Sequence, residues 1–320
     1  MSESPSQPEF DVRLDPPDLT DWIAGNTGIP GVWTFESGQP GPHAAICALM
    51  HGNEYSGALI LRQLLEEGVR PAIGRLSLAF LNLEAFSRFD PRRPTVSRFV
   101  DEDMNRVWDP PVLDGPRRTQ ELDRARVLRP WVDTVDVLLD LHSMLWPSDP
   151  VVLCGGTARG RALALSLPGP RLIISDRGHG NGRRLIDYPR FADPDGAPVA
   201  NLLEAGQHWD AETVAVATGT VTGLLAHVGV TAADVVVPPP GSRLFARVTD
   251  VVTAATSQFA FVQPFRGGDI VPARNTLIAM DGDTEIRTPY DNCMLVMPSL
   301  RAGRGHTAVR LARLEPVAPG

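Results

Sequence analysis

Short apolar runs alternate with helix-like segments over the first two-thirds of the chain. Strands are predicted at residues 44–50, 75–83, 135–141, 151–154, 171–175 and 199–203. Helices are predicted at residues 55–67, 119–131 and 211–227, and the first of them ends at Gly68. Buried apolar strands that alternate with helices are typical of an α/β domain with a mixed, largely parallel sheet flanked by helices.

The two ends of the chain depart from this pattern. Residues 1–40 are rich in Pro, Gly, Asp and Ser, which predicts an N-terminal arm with one short strand at most. The run VVVPPPGS at residues 235–242 marks a boundary, beyond which short alternating strands and turn residues predict a small all-β domain. We therefore expect an arm at residues 1–40, an α/β domain at 41–234 and a C-terminal β domain at 235–320.

Composition narrows the classes of partner and chemistry. The net charge is −8 and there is no basic tract, so we expect no nucleic acid partner. All 30 basic residues are Arg, which excludes a lysine Schiff base and a P-loop lysine. The three cysteines, Cys47, Cys154 and Cys293, lack CxxC spacing, which predicts reduced, buried thiols in a cytoplasmic protein.

Two segments bear on membrane association. The N-terminus MSESPSQPEF is polar and acidic, unlike a secretory signal. Residues 213–233 are uncharged, but their Thr, Gly and His content favours a buried helix followed by a loop. We expect no membrane partner, and the sequence leaves a homo-oligomer open.

A histidine and a glutamate follow the first predicted strand, where HAAICALMHGNEY passes from apolar to polar residues. His51 and Glu54 lie at a strand-to-helix junction, and His142 of DLHS ends another predicted strand. Two imidazoles and one carboxylate are ligands that zinc accepts beside an open water position. Asp140 lies on the same strand face as His142 and could hydrogen-bond its imidazole. Taken singly, these residues are better explained as a polar turn, a core histidine and a capping carboxylate.

Two further segments place polar side chains between predicted elements. The loop RFVDEDMNRVW, residues 98–108, offers Arg98, Asn105 and Arg106 as donors to a carboxylate or an oxyanion, although its composition alone slightly favours a solvated surface loop. Glu204 directly follows buried apolar residues, where a charge is costly unless it has a partner or a task. Together these residues supply the parts of metal-assisted hydrolysis: three ligands, a free carboxylate base and arginines.

Four motifs, in order and approximate spacing, resemble the succinylglutamate desuccinylase/aspartoacylase family, a branch of the zinc carboxypeptidase-like hydrolases. They are MHGNEYSG (50–57), RFVDEDMNRVW (98–108), DLHS (140–143) and LLEAGQHW (202–209). The segment TPYDNCMLVMPS (288–299) is similar to the family's C-terminal β domain. The resemblance implies a zinc-carboxypeptidase-like α/β fold with a small C-terminal all-β domain.

The resemblance also implies roles for individual residues. It implies one Zn²⁺ per chain, bound by His51, Glu54 and His142. It makes Glu204 the general base and then the general acid, and Arg98 the group that polarises the scissile carbonyl. The substrate carboxylate would be held by the pair Asn105 and Arg106, although Met104 stands where the family motif usually has Leu.

Further Arg and Tyr residues recognise acidic substrate groups in this family. Residues of this chain in the corresponding regions, none of which matches individually, are Arg183, Arg184, Tyr188 and Tyr290. His179 and His208 also lie near the motifs, and for His208 a structural hydrogen bond is the favoured interpretation.

The function that the resemblance implies is a zinc-dependent amidohydrolase. Its substrate would be a small N-acylated molecule, an N-acyl amino acid or a related compound, attacked by metal-activated water. A metallocarboxypeptidase or an esterase acting on small substrates would use the same chemistry. A non-catalytic ligand-binding homologue is a third interpretation, against which the presence of ligands, base and Arg98 argues.

Overall fold

Strands occur along the whole described chain. A computed structural model describes residues 10–178, 180–231 and 242–317. The strands within these ranges are β1 Val32–Glu36, β2 His43–Ala48, β3 Arg75–Phe80, β4 Val137–Met144, β5 Val151–Leu153, β6 Leu172–Ser175, β7 Val199–Gln207, β8 Leu244–Thr253, β9 Phe259–Phe261, β10 Ile270–Val271, β11 Leu277–Asp281, β12 Thr284–Arg287, β13 Cys293–Val296 and β14 Thr307–Glu315.

Eleven of these strands form one mixed sheet in the order β1-β3-β2-β4-β7-β5-β6-β8-β14-β13-β10. The pairs β3–β2, β2–β4 and β4–β7 are parallel, as expected for strands buried on both faces. Strands β8, β14, β13 and β10 pair antiparallel with one another, and β6 and β8 pair in parallel. The remaining strands β9, β11 and β12 form a small separate antiparallel sheet.

Helices cover both faces of the large sheet. They are α1 Ser56–Glu66, α2 Leu83–Ser87, α3 Pro110–Leu113, α4 Gln120–Val132, α5 Ala158–Ser166, α6 Pro189–Ala192 and α7 Ala211–His227. Successive residues of β2 point to opposite faces, so Ile46 packs in the cluster with α1, α5 and α7, whereas Cys47 packs in the cluster with α4. None of the helices in the described ranges is long and apolar enough to cross a membrane.

The fold class predicted from the sequence is confirmed. The predicted strands and helices of residues 41–231 are present, and residues 242–317 contain strands but no α-helix. Helix α5 was not predicted, and the described part of the arm, residues 10–40, contains one short strand, β1. The domain division at residue 234 stays a prediction, because residues 232–241 lie outside the described ranges.

The parallel strands bring the polar motifs to one edge of the sheet. The carboxyl ends of parallel strands meet at the same edge. His51 follows the end of β2, while His142 in β4 is the register partner of Glu204 in β7. The topology therefore assembles three motifs that are far apart in sequence.

Candidate active site

Three ligand-type side chains converge at this edge. The ligand atoms of His51, Glu54 and His142 all lie within 4.8 Å of one another, and all three residues are buried. His51 Nδ1 lies 2.8 Å from Glu54 Oε1, and His142 Nδ1 lies 2.9 Å from Glu54 Oε2. Because both imidazoles present Nδ1 to the carboxylate between them, the three side chains could hold a metal ion.

The turn after β2 positions the first two of these residues. Leu49 has a φ of 60°, in the left-handed region that non-glycine residues rarely adopt, and so turns the chain out of the strand. A Cβ on Gly52 would lie 2.3 Å from the α2 backbone and 2.5 Å from the carbonyl oxygen of Ser97. Only glycine therefore fits between His51 and Glu54 at this packing distance.

Each histidine is oriented by a carboxylate that lies within hydrogen-bond distance of its other ring nitrogen, Nε2. His142 Nε2 lies 3.0 Å from Asp140 Oδ2, and His51 Nε2 lies 2.9 Å from Asp103 Oδ1. Burial alone would raise the pKa of Asp103, but His51 and Arg98 hold it well below its ordinary value. A carboxylate beside Nε2 can accept the hydrogen of that nitrogen and so leave the Nδ1 lone pair for a metal, which is the usual arrangement of a metal-binding histidine.

The donor set fits Zn²⁺. Two imidazole nitrogens and one carboxylate are a ligand set of catalytic zinc sites. Burial alone would raise the pKa of Glu54, but His51 and His142 hold it well below its ordinary value, in the ionised form that binds metal. His51 Nδ1 is buried, lies 2.8 Å from Glu54 Oε1 and makes no well-aligned hydrogen bond among the described residues. A buried nitrogen directed at a carboxylate in this way can share a metal ion with it.

Glu204 lies beside this group. Its side chain lines the same cavity as the three ligand-type residues, and its strand neighbour in register is His142. Burial raises the pKa of Glu204 to about 8. Its buried Oε2 has no hydrogen-bond partner in the part of the chain that the structure describes. A carboxyl group of this pKa can take up and return a proton near neutral pH.

Residues of the 98–108 loop close another side of the cavity. Arg98 Nη1 donates to Glu54 Oε1 at 2.7 Å, and its Nη2 donates to Asp103 Oδ2 at 3.3 Å. Arg106 Nη1 donates to the carbonyl oxygen of Asn105 at 2.7 Å, and Asn105 Oδ1 accepts from the backbone N–H of Leu185. Arg98, Asn105 and Arg106 all line the cavity, whose volume is about 600 Å³.

Residues 40–147 match the sequence model of the succinylglutamate desuccinylase/aspartoacylase catalytic domain. The family resemblance predicted from the sequence is confirmed. This match spans the motifs of His51, Glu54, Arg98 and His142. A comparison with curated proteins gives no match.

Solved structures of proteins named for this family share the fold. The succinylglutamate desuccinylase of Vibrio parahaemolyticus is 16% identical over 90% of this chain and 87% of its own, with a TM-score of 0.67. A succinylglutamate desuccinylase/aspartoacylase from Rhodobacter sphaeroides is 18% identical over 89% of each chain, with a TM-score of 0.64. The ectoine utilization protein EutE of Ruegeria pomeroyi, in a product-bound structure, is 17% identical over 89% of this chain and 88% of its own, with a TM-score of 0.60.

Of the four residues that were predicted as additional substrate contacts, one lines the cavity and three do not. Arg184 lines the cavity, where it is almost fully buried. Arg183 instead forms an ion pair with Asp109, and Tyr188 donates its hydroxyl to Asp133. The hydroxyl of Tyr290 bonds that of Thr249. Arg183, Tyr188 and Tyr290 do not belong to the described lining of the cavity.

Of the two histidines near the motifs, the structure describes His208. His208 makes the expected hydrogen bond, 2.8 Å between its Nδ1 and the hydroxyl of Ser143, and it also lines the cavity. Burial lowers the pKa of His208 to about 4, so the imidazole is neutral near pH 7. His179 lies outside the described residues.

Two residues of the cavity were not identified as site residues from the sequence. Asp103 bonds His51, although the only sequence signal was its place in the DMNR motif. Arg310 of β14 lines the cavity from the C-terminal part of the chain and forms an ion pair with Asp176. No motif marked Arg310, but its position inside the strand run TAVRLARLE, where a buried charge needs a partner, was a usable signal.

Proposed function

We propose that this protein is a zinc-dependent hydrolase that cleaves the linear amide bond of an N-acyl amino acid or a related small N-acyl compound. The observation that carries the proposal is the position of Glu204, in one cavity with the His51, Glu54 and His142 group. The family match supports a hydrolase. The names of the structural relatives, succinylglutamate desuccinylases among them, support an N-acylated substrate.

One zinc ion per chain would be held by His51, Glu54 and His142, and when bound it would supply an activated water and a Lewis acid for the carbonyl. Asp103 and Asp140 keep the two imidazoles in the tautomer and orientation that metal binding needs. Asn105 and Arg106 hold the substrate carboxylate, which fixes the amide relative to Glu204.

Glu204 transfers the proton, and Arg98 stabilises the negative charge that develops on the carbonyl oxygen. Glu204 takes a proton from the attacking water and later gives it to the nitrogen of the leaving amine. Arg98 donates hydrogen bonds to the carbonyl oxygen as negative charge develops on it. The products are a carboxylic acid and a free amino acid or amine. Because most residues of the cavity wall are buried, these charges are less screened and interact more strongly than in water.

Substituting Glu204 tests the assignment of the base. Glu204→Gln keeps the size of the side chain but cannot accept the proton, so we expect kcat to fall by about 10²–10⁴-fold. Zinc content, measured by elemental analysis of the purified protein, should stay at one per chain. Near-full activity of Glu204→Gln would show that another group is the base.

A substrate panel tests the reaction class. The zinc-loaded protein would be assayed with N-acyl amino acids of several acyl lengths, with dipeptides and with carboxylic esters. We expect the highest kcat/KM for N-acyl amino acids. A preference for dipeptides would assign a peptidase, and absence of turnover with zinc bound would favour a ligand-binding protein.

We also propose that the protein acts in a reducing cytoplasm. Its cysteines Cys47, Cys154 and Cys293 are all buried and unpaired.

A further inference from the structure

Two arginines in the cavity wall share one buried aspartate behind it. Arg184 and Arg310 both line the cavity, whereas Asp176 does not and is only 2% exposed. Asp176 Oδ2 lies 3.0 Å from Arg310 Nε and 3.2 Å from Arg184 Nη1. One carboxylate thus pairs with two guanidinium groups that come from different parts of the chain.

A second carboxylate completes a neutral group. Asp187 Oδ2 accepts from Arg184 Nε at 2.6 Å, and its Oδ1 accepts from Arg184 Nη2 at 3.1 Å. The two arginines and the two aspartates, Arg184, Arg310, Asp176 and Asp187, are called the Asp176 group below. Its two positive charges are balanced by two negative ones before any substrate enters.

The other two arginines of the cavity are also next to carboxylates. Arg98 contacts both Glu54 and Asp103, and Arg106 Nη2 lies 3.8 Å from Asp103. Arg106 is the more weakly paired of the two, because this single distance is long for an ion pair. Among the arginines in the described wall of the cavity, Arg106 is therefore the best suited to bind a substrate carboxylate.

We propose that the Asp176 group restricts this enzyme to N-acyl amino acids with one carboxylate and an uncharged side chain. This inference rests on the proposed function, in which Asn105 and Arg106 hold the single carboxylate. A second carboxylate beside Arg310 would face the charge of Asp176 in a buried setting, where like charges repel strongly. Asp176 is thus a specificity-determining residue that acts through Arg310, by rejecting the wrong substrate.

The end of the cavity near Arg310 can bind a neutral polar group instead. Ser299 lines the cavity, and its backbone N–H donates to the carbonyl oxygen of Ala308, two residues before Arg310 in β14. Asn181 lines the same cavity, and neither side chain adds charge. A side-chain amide or hydroxyl of the substrate could hydrogen-bond to Arg310 or Ser299 without charge repulsion.

A pair of substrates of equal shape tests the proposal. With the acyl group that the panel above selects, kcat/KM would be compared for N-acyl-glutamine and N-acyl-glutamate on the zinc-loaded enzyme. We expect the glutamine compound to be favoured by at least tenfold. Equilibrium binding of the products, glutamine against glutamate, should show the same preference without turnover.

Two variants should shift this ratio in opposite directions. Asp176→Asn leaves Arg310 with excess positive charge, so the preference for glutamine should shrink at least fivefold. Arg310→Gln leaves excess negative charge, so the preference should widen. A merely structural role would lower both activities without opposite changes in the ratio. Thermal unfolding would show that each variant is folded.

The outcomes separate the two proposals. If the wild-type enzyme hydrolyses the panel but prefers glutamate, the charge argument is wrong and the proposed function stands. If it hydrolyses nothing but binds glutamine over glutamate, the inference stands and the hydrolase assignment fails. Equal shifts in the two variants would remove Asp176 as the determinant. The wild-type ratio and product binding decide the case even if a variant does not fold.

Discussion

Asp140 and Asp103 hold the two histidines of the candidate metal group from behind. Both carboxylates are within hydrogen-bond distance of an Nε2 atom, so each fixes one ring and raises the basicity of its Nδ1. Asp140 could be anticipated from the sequence, because it is two residues before His142 in the same strand and their side chains therefore point to the same face. Asp103 could not, because the fold of the 98–108 loop decides which of its three carboxylates reaches His51.

We predict that Asp140→Asn weakens zinc binding by about 10–100-fold while the fold is retained. The amide cannot supply the negative charge that orients and polarises His142. Competition with a chelator of known affinity would measure the change. Asp123→Asn, at a carboxylate on α4 that is half exposed, is the matched control and should bind zinc like the wild type. Equal affinity in both variants would show that Asp140 has no such role.

His43 at the start of β2 predicts a pH dependence of stability that is separate from the metal group. It is 2% exposed, with Nε2 2.7 Å from the Ser77 hydroxyl. Burial, reinforced by Arg75, lowers the pKa of His43 from 6.5 to about 4. Between these pH values the unfolded chain binds a proton that the folded chain does not. The stabilisation from a neutral His43 is therefore complete above pH 6.5 and is lost as pH falls towards 4.

Urea unfolding of the wild type and of His43→Gln would measure this contribution. At pH 7 the variant should be the less stable, because it loses the packed imidazole. The difference in unfolding free energy should shrink by about 3 kcal/mol between pH 7 and pH 4, since only the wild type carries the titrating group. A difference that stays constant with pH would contradict the assignment.

At the scale of the elements, the sequence predicted strands and helices that carry a strong apolar pattern. Helix α7 was predicted with its observed bounds, and β2 to within two residues. Helix α5 was missed because ARGRALALS has no apolar stripe. Its signal was the N-cap Thr157, whose hydroxyl accepts from the backbone N–H of Gly160. The N-cap could have been recognised in the sequence. The burial of a helix with so few apolar residues depends on the neighbouring strands and could not.

The connection between β2 and α1 carries a further prediction. A methyl group at Gly52 would collide with backbone atoms of α2 and Ser97, which cannot move as a side chain can. We expect Gly52→Ala to lower the free energy of unfolding by about 1–3 kcal/mol and to weaken zinc binding, because it displaces His51 relative to Glu54. Denaturant unfolding and zinc competition would measure the two effects.

Gly219→Ala provides the control for this element. Gly219 is exposed on α7, and an added Cβ would meet no atom within 4 Å. Alanine there should leave zinc binding unchanged and stabilise the helix by up to about 1 kcal/mol. If Gly52→Ala behaved like Gly219→Ala, the turn would have room that its backbone distances do not show.

At the scale of the whole molecule, the C-terminal strands continue the sheet that carries the candidate metal group. β8 pairs in parallel with β6, so the large sheet runs without a break from β1 to β10. Phe245 belongs to the core cluster on one face of this sheet, and Ala246 and Met294 belong to the cluster on the other. The sequence indicated an all-β C-terminal part correctly, but pairing between β6 and β8 depends on contacts about 70 residues apart that no local pattern reveals.

This continuity predicts the behaviour of a chain that ends at residue 234, the predicted end of the α/β domain. Removing the later strands would leave β6 as an unpaired edge and expose both core clusters. It would also remove Arg310 and Met297 from the cavity wall. We expect the shortened chain to aggregate or to unfold without a cooperative transition, as followed by calorimetry and light scattering. A soluble fragment with a sharp transition and bound zinc would instead show that residues 41–234 fold as an independent domain, and that the C-terminal strands only complete the cavity.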